Sequence, residues 1–320
     1  KADAEKGSIQ QLIESYVSKM KADGKRTYAD VQRRLEKDVY PVIPPATKAN
    51  EVTAADVMQI LSNMIQRDAV VQSNRVRSYL HAAFQFGLKA DNDPANMNKC
   101  VIFGLQLNPV SLIPRQEAAE KVGENWLKID VLLDLMSKFT HTPKVGWLAG
   151  QLLKLCIHTG GQRPYELAVS EWESVNWEDK TLLVTSAISK NKREHLIPLT
   201  DSAMLILNEL RDRNAGNSRF LFPQRDPAKH FRTDSFAQAI IYFRENNPEF
   251  PLFIGRDIRR TCKTLMGALH ISKELRDRIQ NHAFNDVSSK HYDRHDYLEE
   301  KRNALELWEA KLNQQNTNNI

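Results

Sequence analysis

Thr181-Leu182-Leu183-Val184-Thr185, the polar run Lys190-Asn191-Lys192-Arg193-Glu194, and His195-Leu196-Ile197-Pro198-Leu199 form the one stretch of this 320-residue chain that reads as β-sheet. Leucine and β-branched side chains suit a half-buried pleated surface, and the polar run between them supplies a turn. Elsewhere the apolar residues recur at helical spacing. The fold expected is mainly α with a small antiparallel β-sheet, an α+β chain whose core is built by helices.

Upstream of that hairpin, Val145 to His158 reads as a helix ended by Gly160-Gly161, and Trp126 to Phe139 as an amphipathic helix before it. The first ninety or so residues hold further helical patterns. Ile9, Leu12, Ile13, Tyr16, Val17 and Met20 mark the first of these. Thr27 to Tyr40 is stopped by Pro41 and by Pro44-Pro45. Thr53 is a natural N-cap for a helix through Val57, Ile60, Leu61 and Ile65. Val70 to Leu88 carries Val76, Tyr79, Leu80, Ala83 and Phe84 on one face, with Arg75, Arg77 and Lys89 elsewhere. Such helices can bundle and grip a duplex, or present a solvated basic face. Asp91 to Gly123 lacks periodicity and contains Asp93-Pro94, Asn108-Pro109 and Pro114. The organisation expected is a helical domain over 1–95, a linker over 96–124 and a second domain over 125–320.

Downstream, helices return from Ser202 around an extended Phe220-Leu221-Phe222-Pro223 piece. The last helix presents Leu298, Leu305, Leu307, Trp308 and Leu312. It can dock on its own domain or be donated to a neighbouring protomer, and the second is the expectation.

Hydrophobic residues make up 41% of the chain and charged residues 27%, ordinary for a globular protein. A net charge of +5 suits a polyanionic partner. Cys100, Cys156 and Cys262 are widely spaced, which argues against a disulfide framework or zinc ribbon and fits a reducing cytosol. No apolar run is long enough for a membrane-spanning helix. The chain opens on Lys1 rather than methionine, which fits a piece of a longer protein.

Several segments carry chemistry. In Thr159-Gly160-Gly161-Gln162-Arg163-Pro164-Tyr165-Glu166-Leu167, Pro164 suits a first helical position, so Arg163 stands at the N-cap. A guanidinium and free backbone N–H groups then face one place, which favours an anion, and Glu166 can orient the guanidinium. Lys190, with Lys192 and Arg193 as competitors, can reach into a cleft from its turn and protonate a leaving alkoxide. Arg256-Asp257-Ile258-Arg259-Arg260-Thr261 puts Arg256 and Arg259 on a shared helix face. His282 precedes Tyr292 by ten residues. A phenol has a pKa of about 10, and cations around it favour the phenolate. Taken singly, each segment also reads as solvated basic surface. His291 and His295, with Asp293 and Asp296 nearby, have the i, i+4 spacing of a helical metal pair but no third strong ligand.

In this order the segments resemble the tyrosine recombinase, or phage integrase, family. The box around Arg163, continuing to Trp172 and Asn176-Trp177, is similar to the family's first arginine motif. Ser189-Lys190 through Pro198-Leu199 is similar to its lysine hairpin, the Arg256 segment to its second arginine motif, and Asn281-His282 and Tyr292 to its closing histidine and nucleophile. The tail from Tyr292 to Arg302 is similar to integrases of temperate phages and genomic islands. One departure stands out: the second motif normally opens with histidine, sometimes lysine, where this chain has Arg256. An arginine can donate to a phosphate but stays charged and cannot accept a proton.

The resemblance implies a helical core-binding domain followed by a catalytic domain. It implies that Tyr292 attacks phosphorus to form a 3′-phosphotyrosyl link while Lys190 protonates the 5′ oxygen. Arg163, Arg256, Arg259 and His282 would hold the phosphate, with Glu166 in support. Bond energy is kept in the protein–DNA ester, so no cofactor and no metal is implied. The partners implied are double-stranded DNA with core attachment sites and a homotetramer on that DNA. A DNA-bending accessory protein and an excisionase are compatible further partners, and the place of action is the bacterial cytoplasm and nucleoid. A missing N-terminal arm-binding domain is also in keeping with Lys1. Two other readings stay open: a type IB topoisomerase-like enzyme, and a non-cleaving DNA-binding protein on the same scaffold. Tyr297 is the competing nucleophile; five residues beyond Tyr292, it falls on a different helix face.

Overall fold

Ser8 and Gln11 exchange side-chain and backbone hydrogen bonds in a capping box that starts helix α1, Ile9–Ala22. The computed structural model describes residues 6–94, 101–117, 123–214, 216–282 and 296–314. Tyr292, with His291, Asp293 and His295, lies outside those residues. The chain divides into two compact units, Lys1–Val122 and Gly123–Ile320.

In the first unit α1 is followed by α2 (Tyr28–Val39), α3 (Ala54–Gln66) and α4 (Val70–Asp91). Thr53 caps α3 as expected and is answered by Asp56. Ile9, Leu12, Ile13, Val31, Leu35, Val57, Ile60, Leu80 and Phe84 are buried together. Helices α1 and α4 approach closely at Gly87, where a Cβ would lie 2.7 Å from a Leu12 methyl.

The segment 101–117, expected to be linker, is instead laid along α4 as part of this unit. Phe103, Leu105, Val110 and Ile113 join its core. Side chains of α4 hold the backbone. Asp91 accepts from the N–H groups of Phe103 and Gly104 at 2.9 and 2.8 Å. Asn74 pairs with both the N–H and the carbonyl of Gln116. Those backbone groups are satisfied from outside the segment, so it needs no periodic structure of its own.

The second unit begins with α5 (Ile129–Lys138) and α6 (Trp147–His158), the latter buried on nearly every side. Short α7 (Pro164–Ala168) leads to strands β1 (Val175–Asn176), β2 (Thr181–Val184) and β3 (His195–Pro198). They form one antiparallel sheet in the order β1-β2-β3, with Leu182 opposite Ile197 and Val184 opposite His195. Then come α8 (Asp201–Asn214), α9 (Thr233–Asn246), α10 (Gly255–Ala268), α11 (Lys273–Ile279) and α12 (Leu298–Gln314). The architecture is mainly helical with a small sheet at one side, as the sequence implied. No helix among the described residues is long and apolar enough to cross a membrane.

Helix α12 corrects the expectation that it is donated to a neighbour. Leu305, Trp308 and Leu312 are buried in its own unit. Trp308 donates from Nε1 to the Ile157 carbonyl at 2.8 Å, and Lys301 from Nζ to that of Leu196 at 2.8 Å. Leu307, on another side of the helix, stays exposed.

Candidate active site

The turn after α6 places the first arginine. Gly160 and Gly161 adopt φ of +74° and +87°, and the chain then enters α7 with Arg163 at the N-cap and Pro164 at the first helical position. The Arg163 guanidinium donates to Glu166 at 3.2 Å. Glu166 is buried and also accepts the backbone N–H of Lys190 at 2.9 Å. One carboxylate thus orients the arginine and anchors the loop that carries the lysine.

Helix α10 supplies the second group. Arg256, Arg259, Arg260 and Lys263 follow an i, i+3, i+4, i+7 spacing along one side of it. Arg259 donates to the carbonyls of Gly161, at 2.7 Å, and of Gln280. Burial, and then the nearby charge of Arg163, pushes its pKa down to about 10, so it remains protonated at neutral pH. Arg260 is held at the edge, donating to Asp257 at 2.6 Å and to the Asn125 carbonyl at 2.9 Å.

The end of α11 supplies the third. Buried Gln280 donates to the carbonyls of Gly160 and Arg259 at 2.9 and 2.8 Å, locking the turn to α10. Asn281 takes the left-handed conformation, φ 49°, which asparagine tolerates well. That reversal sets His282 back against Asp277, with 2.7 Å between Nδ1 and Oδ1. Lys263 is ion-paired with the same Asp277 oxygen and lies 3.3 Å from His282 Nδ1. Burial lowers the pKa of His282, opposed by its hydrogen bond to Asp277 and reinforced by the charges of Arg259 and Lys263. For Asp277, burial works against ionisation, but the hydrogen bonds from Lys263 and His282 hold its pKa below the usual range.

These elements enclose an open basin of about 500 Å³. Arg163, Lys190, Arg256, Arg259, Lys263, Gln280 and His282 line it, together with Arg260, Pro164 and Gly255. Five sequence-predicted residues, Arg163, Lys190, Arg256, Arg259 and His282, therefore face one cavity, and Glu166 lies behind them. Among the described residues no carboxylate is on its wall, so these side chains suit an anion. Tyr292 falls outside the described residues. The rival Tyr297 has its ring centre 3.6 Å from the Arg278 guanidinium carbon, a cation–π contact. Among the described residues no group of histidine, cysteine or acidic side chains could hold a metal; the His291 and His295 pair lies outside them.

The sequence reading missed Lys263 and Asp277. Lys263 was legible as the fourth basic residue on the Arg256 face. Asp277 was not, because its approach to His282 depends on the left-handed turn at Asn281. His195, in the lysine-hairpin motif, proves structural: buried, it bonds the Ile279 carbonyl through Nε2 at 3.0 Å.

Comparison with known proteins bears on the family and the fold. The chain matches the model of the phage integrase family over residues 125–297 and that of the phage integrase central domain over 9–98. It is 27% identical over 212 residues to the prophage integrase IntZ of Escherichia coli K12, covering 66% of this chain and 48% of that one. It is 17% identical to the integrase of Shigella phage Sf6 over 96% of this chain and 76% of the relative. The chain thus spans about half the length of IntZ. Among solved structures it is similar to a lambda integrase dimer bound to a COC′ core site, with a TM-score of 0.63 and 16% identity over 90% of this chain and 98% of that one. It is also similar to the Tn1549 transposon integrase in complex with circular intermediate DNA, with a TM-score of 0.61 and 13% identity over 90% and 96% of the two chains. At such identities the likeness is one of fold. The two family models together cover most of the chain, and the protein belongs to the phage integrase family, the tyrosine recombinases.

Proposed function

We propose that the protein is a site-specific DNA recombinase that cuts and rejoins DNA through a 3′-phosphotyrosyl intermediate, integrating or excising a mobile element. The observation that carries this reading is the convergence of Arg163, Arg256, Arg259, Lys190 and His282 on one cavity that no carboxylate among the described residues faces. A scissile phosphodiester bound there gains three guanidinium groups, which stabilise the charge that grows on the non-bridging oxygens as phosphorus becomes pentacoordinate. Tyr292 attacks phosphorus, the P–O5′ bond breaks, and Lys190 delivers a proton to the departing oxygen. The 5′-hydroxyl of a partner strand reverses these steps. Two such exchanges pass through a Holliday junction, so the working assembly is a homotetramer on two duplexes with core-type sites. A lambda integrase tetramer has been crystallised on a Holliday junction, which supports this assembly for the fold.

Glu166 serves in this scheme by holding Arg163 and the Lys190 backbone together. The helical first unit, which matches the central-domain model, adds contacts to the duplex. An accessory bending protein and an excisionase remain compatible partners in the cytoplasm.

The test uses a nicked suicide duplex copied from the junctions of the element that encodes this chain. The expected result is a detergent-resistant protein–DNA adduct at a defined base step. Binding without any adduct would place the chain among non-cleaving DNA-binding proteins. Relaxation of supercoils without a defined site would favour a topoisomerase.

A further inference from the structure

Arg256 leaves the basin without a proton acceptor at the position where the family usually carries histidine. Among the described residues the imidazole lining the cavity is that of His282, and its surroundings are closely determined. Its Nδ1 lies 2.7 Å from Asp277 Oδ1. Two acceptors do not approach so closely, so a proton lies between them, and an ionised Asp277 leaves that proton on the ring. The neutral imidazole is then the Nδ1–H tautomer, with its lone pair on Nε2. Among the described residues Nε2 has no hydrogen-bond partner. Lys263 pairs with the same Asp277 oxygen and approaches Nδ1 at 3.3 Å, so it fixes the carboxylate from the side of α10. Asp277 and Lys263 are 14% and 25% exposed, more secluded than the ring they hold at 38%.

We propose that Asp277, braced by Lys263, is a positioning residue that sets His282 as the Nδ1–H tautomer and turns its Nε2 into the proton acceptor that Arg256 does not provide. The role rests on the recombinase reading above. In the cleavage step the attacking hydroxyl forms its bond to phosphorus, its proton passes to Nε2, and the 5′ oxygen leaves with a proton from Lys190. In the reverse step the histidine returns the proton. The arrangement resembles in kind the carboxylate that orients a catalytic histidine in hydrolases. The charged groups facing His282 are Asp277 from α11 and Lys263 and Arg259 from α10, with Arg163, Lys190 and Arg256 on the same basin wall. Asp277 favours the protonated ring and the cations oppose it, so the two substitutions below act in opposite directions.

The experiment records histidine side-chain nitrogen spectra of the whole 320-residue chain as a function of pH, beside single-turnover cleavage of the nicked duplex. The wild-type His282 signal is expected to report Nδ1–H when neutral. Asp277→Ala is expected to shift it toward Nε2–H, to lower its apparent pKa, and to slow cleavage by roughly tenfold or more at neutral pH. Asp277→Glu is expected to recover part of that loss. Lys263→Met is expected to raise the apparent pKa of His282, which keeps the test decisive if Asp277→Ala fails to fold. In a His282→Ala background, Asp277→Ala is expected to slow cleavage no further. A wild-type Nε2–H tautomer, or an undiminished Asp277→Ala effect in that background, overturns the positioning role alone. The nitrogen signals do not require DNA, so the expected tautomer in a chain that forms no adduct overturns the recombinase reading instead.

Discussion

Arg259 donates a 2.7 Å hydrogen bond to the carbonyl of Gly161, two residues before Arg163, so one main-chain turn ties the two arginine motifs together. The turn has no room for a side chain. A Cβ on Gly161 would lie 2.7 Å from Gln280 Nε2 and 3.1 Å from the Arg259 Cα, at a φ of +87°. Gly161→Ala is expected to destabilise the second unit by about 1–3 kcal/mol and to reduce cleavage more than DNA binding. Denaturant melts and adduct yields measured side by side check this.

Arg256 is exposed and lines the basin beside Arg259. In the proposed reaction its charge would help the transition state, and removing an exposed side chain costs no buried contact. Arg256→Ala is expected to leave the melting temperature unchanged and to lower the cleavage rate by roughly a hundredfold. Arg256→His is expected to recover much of that rate and to add an ionisation near pH 6.5. An Arg256→Ala chain that cleaves at the parental rate would remove this residue from the site.

Two buried histidines set the response to acid. Burial pushes His158 down to about 4 and His195 down to about 3. In the unfolded chain both take up protons near pH 6.5, while the folded chain keeps them neutral. More protons are bound unfolded than folded below pH 6.5, so stability falls as pH drops. Each contributes about 1.4 kcal/mol per pH unit, down to its folded pKa. Melting temperatures between pH 7 and pH 4 should therefore fall, and His195→Gln should flatten the slope if the variant keeps the bond to the Ile279 carbonyl.

Helix α12 is anchored by Trp308, fully buried and bonded to the Ile157 carbonyl. Trp308→Ala is expected to cost about 3–5 kcal/mol. Trp308→Phe keeps most of the apolar contact and is expected to cost about 1 kcal/mol through the lost hydrogen bond, since the Ile157 carbonyl still accepts from the Gly160 N–H. Equilibrium urea unfolding of the chain without DNA distinguishes this anchoring from donation to a second protomer, in which case neither variant would change the midpoint.

Much of this molecule was legible in its residues, and the exceptions have physical causes. The small sheet was readable because Thr181–Val184 and His195–Pro198 are short, apolar and flanked by helical patterns. Arg163, Lys190, Arg256, Arg259 and His282 could be placed on one cavity because each sits in a local motif. The segment 101–117 could not be read, since its backbone is held by the side chains of Asn74, Arg77 and Asp91 on the preceding helix, contacts that leave no periodic pattern in the segment itself. The docking of α12 was equally illegible, because an amphipathic face does not say whose core it enters. Asp277 reaches His282 only through a left-handed residue that asparagine permits and does not require.

The central claim is that Tyr292 is the nucleophile of the basin, and peptide mapping of the trapped adduct tests it most directly. Cleavage after Lys290, Arg294 and Lys301 separates the two candidate tyrosines into peptides 291–294 and 295–301. The account predicts that the nucleotide-bearing peptide is the one holding Tyr292, and that Tyr292→Phe abolishes the adduct while Tyr297→Phe does not. A nucleotide on the peptide holding Tyr297, or an adduct that survives Tyr292→Phe, would contradict it.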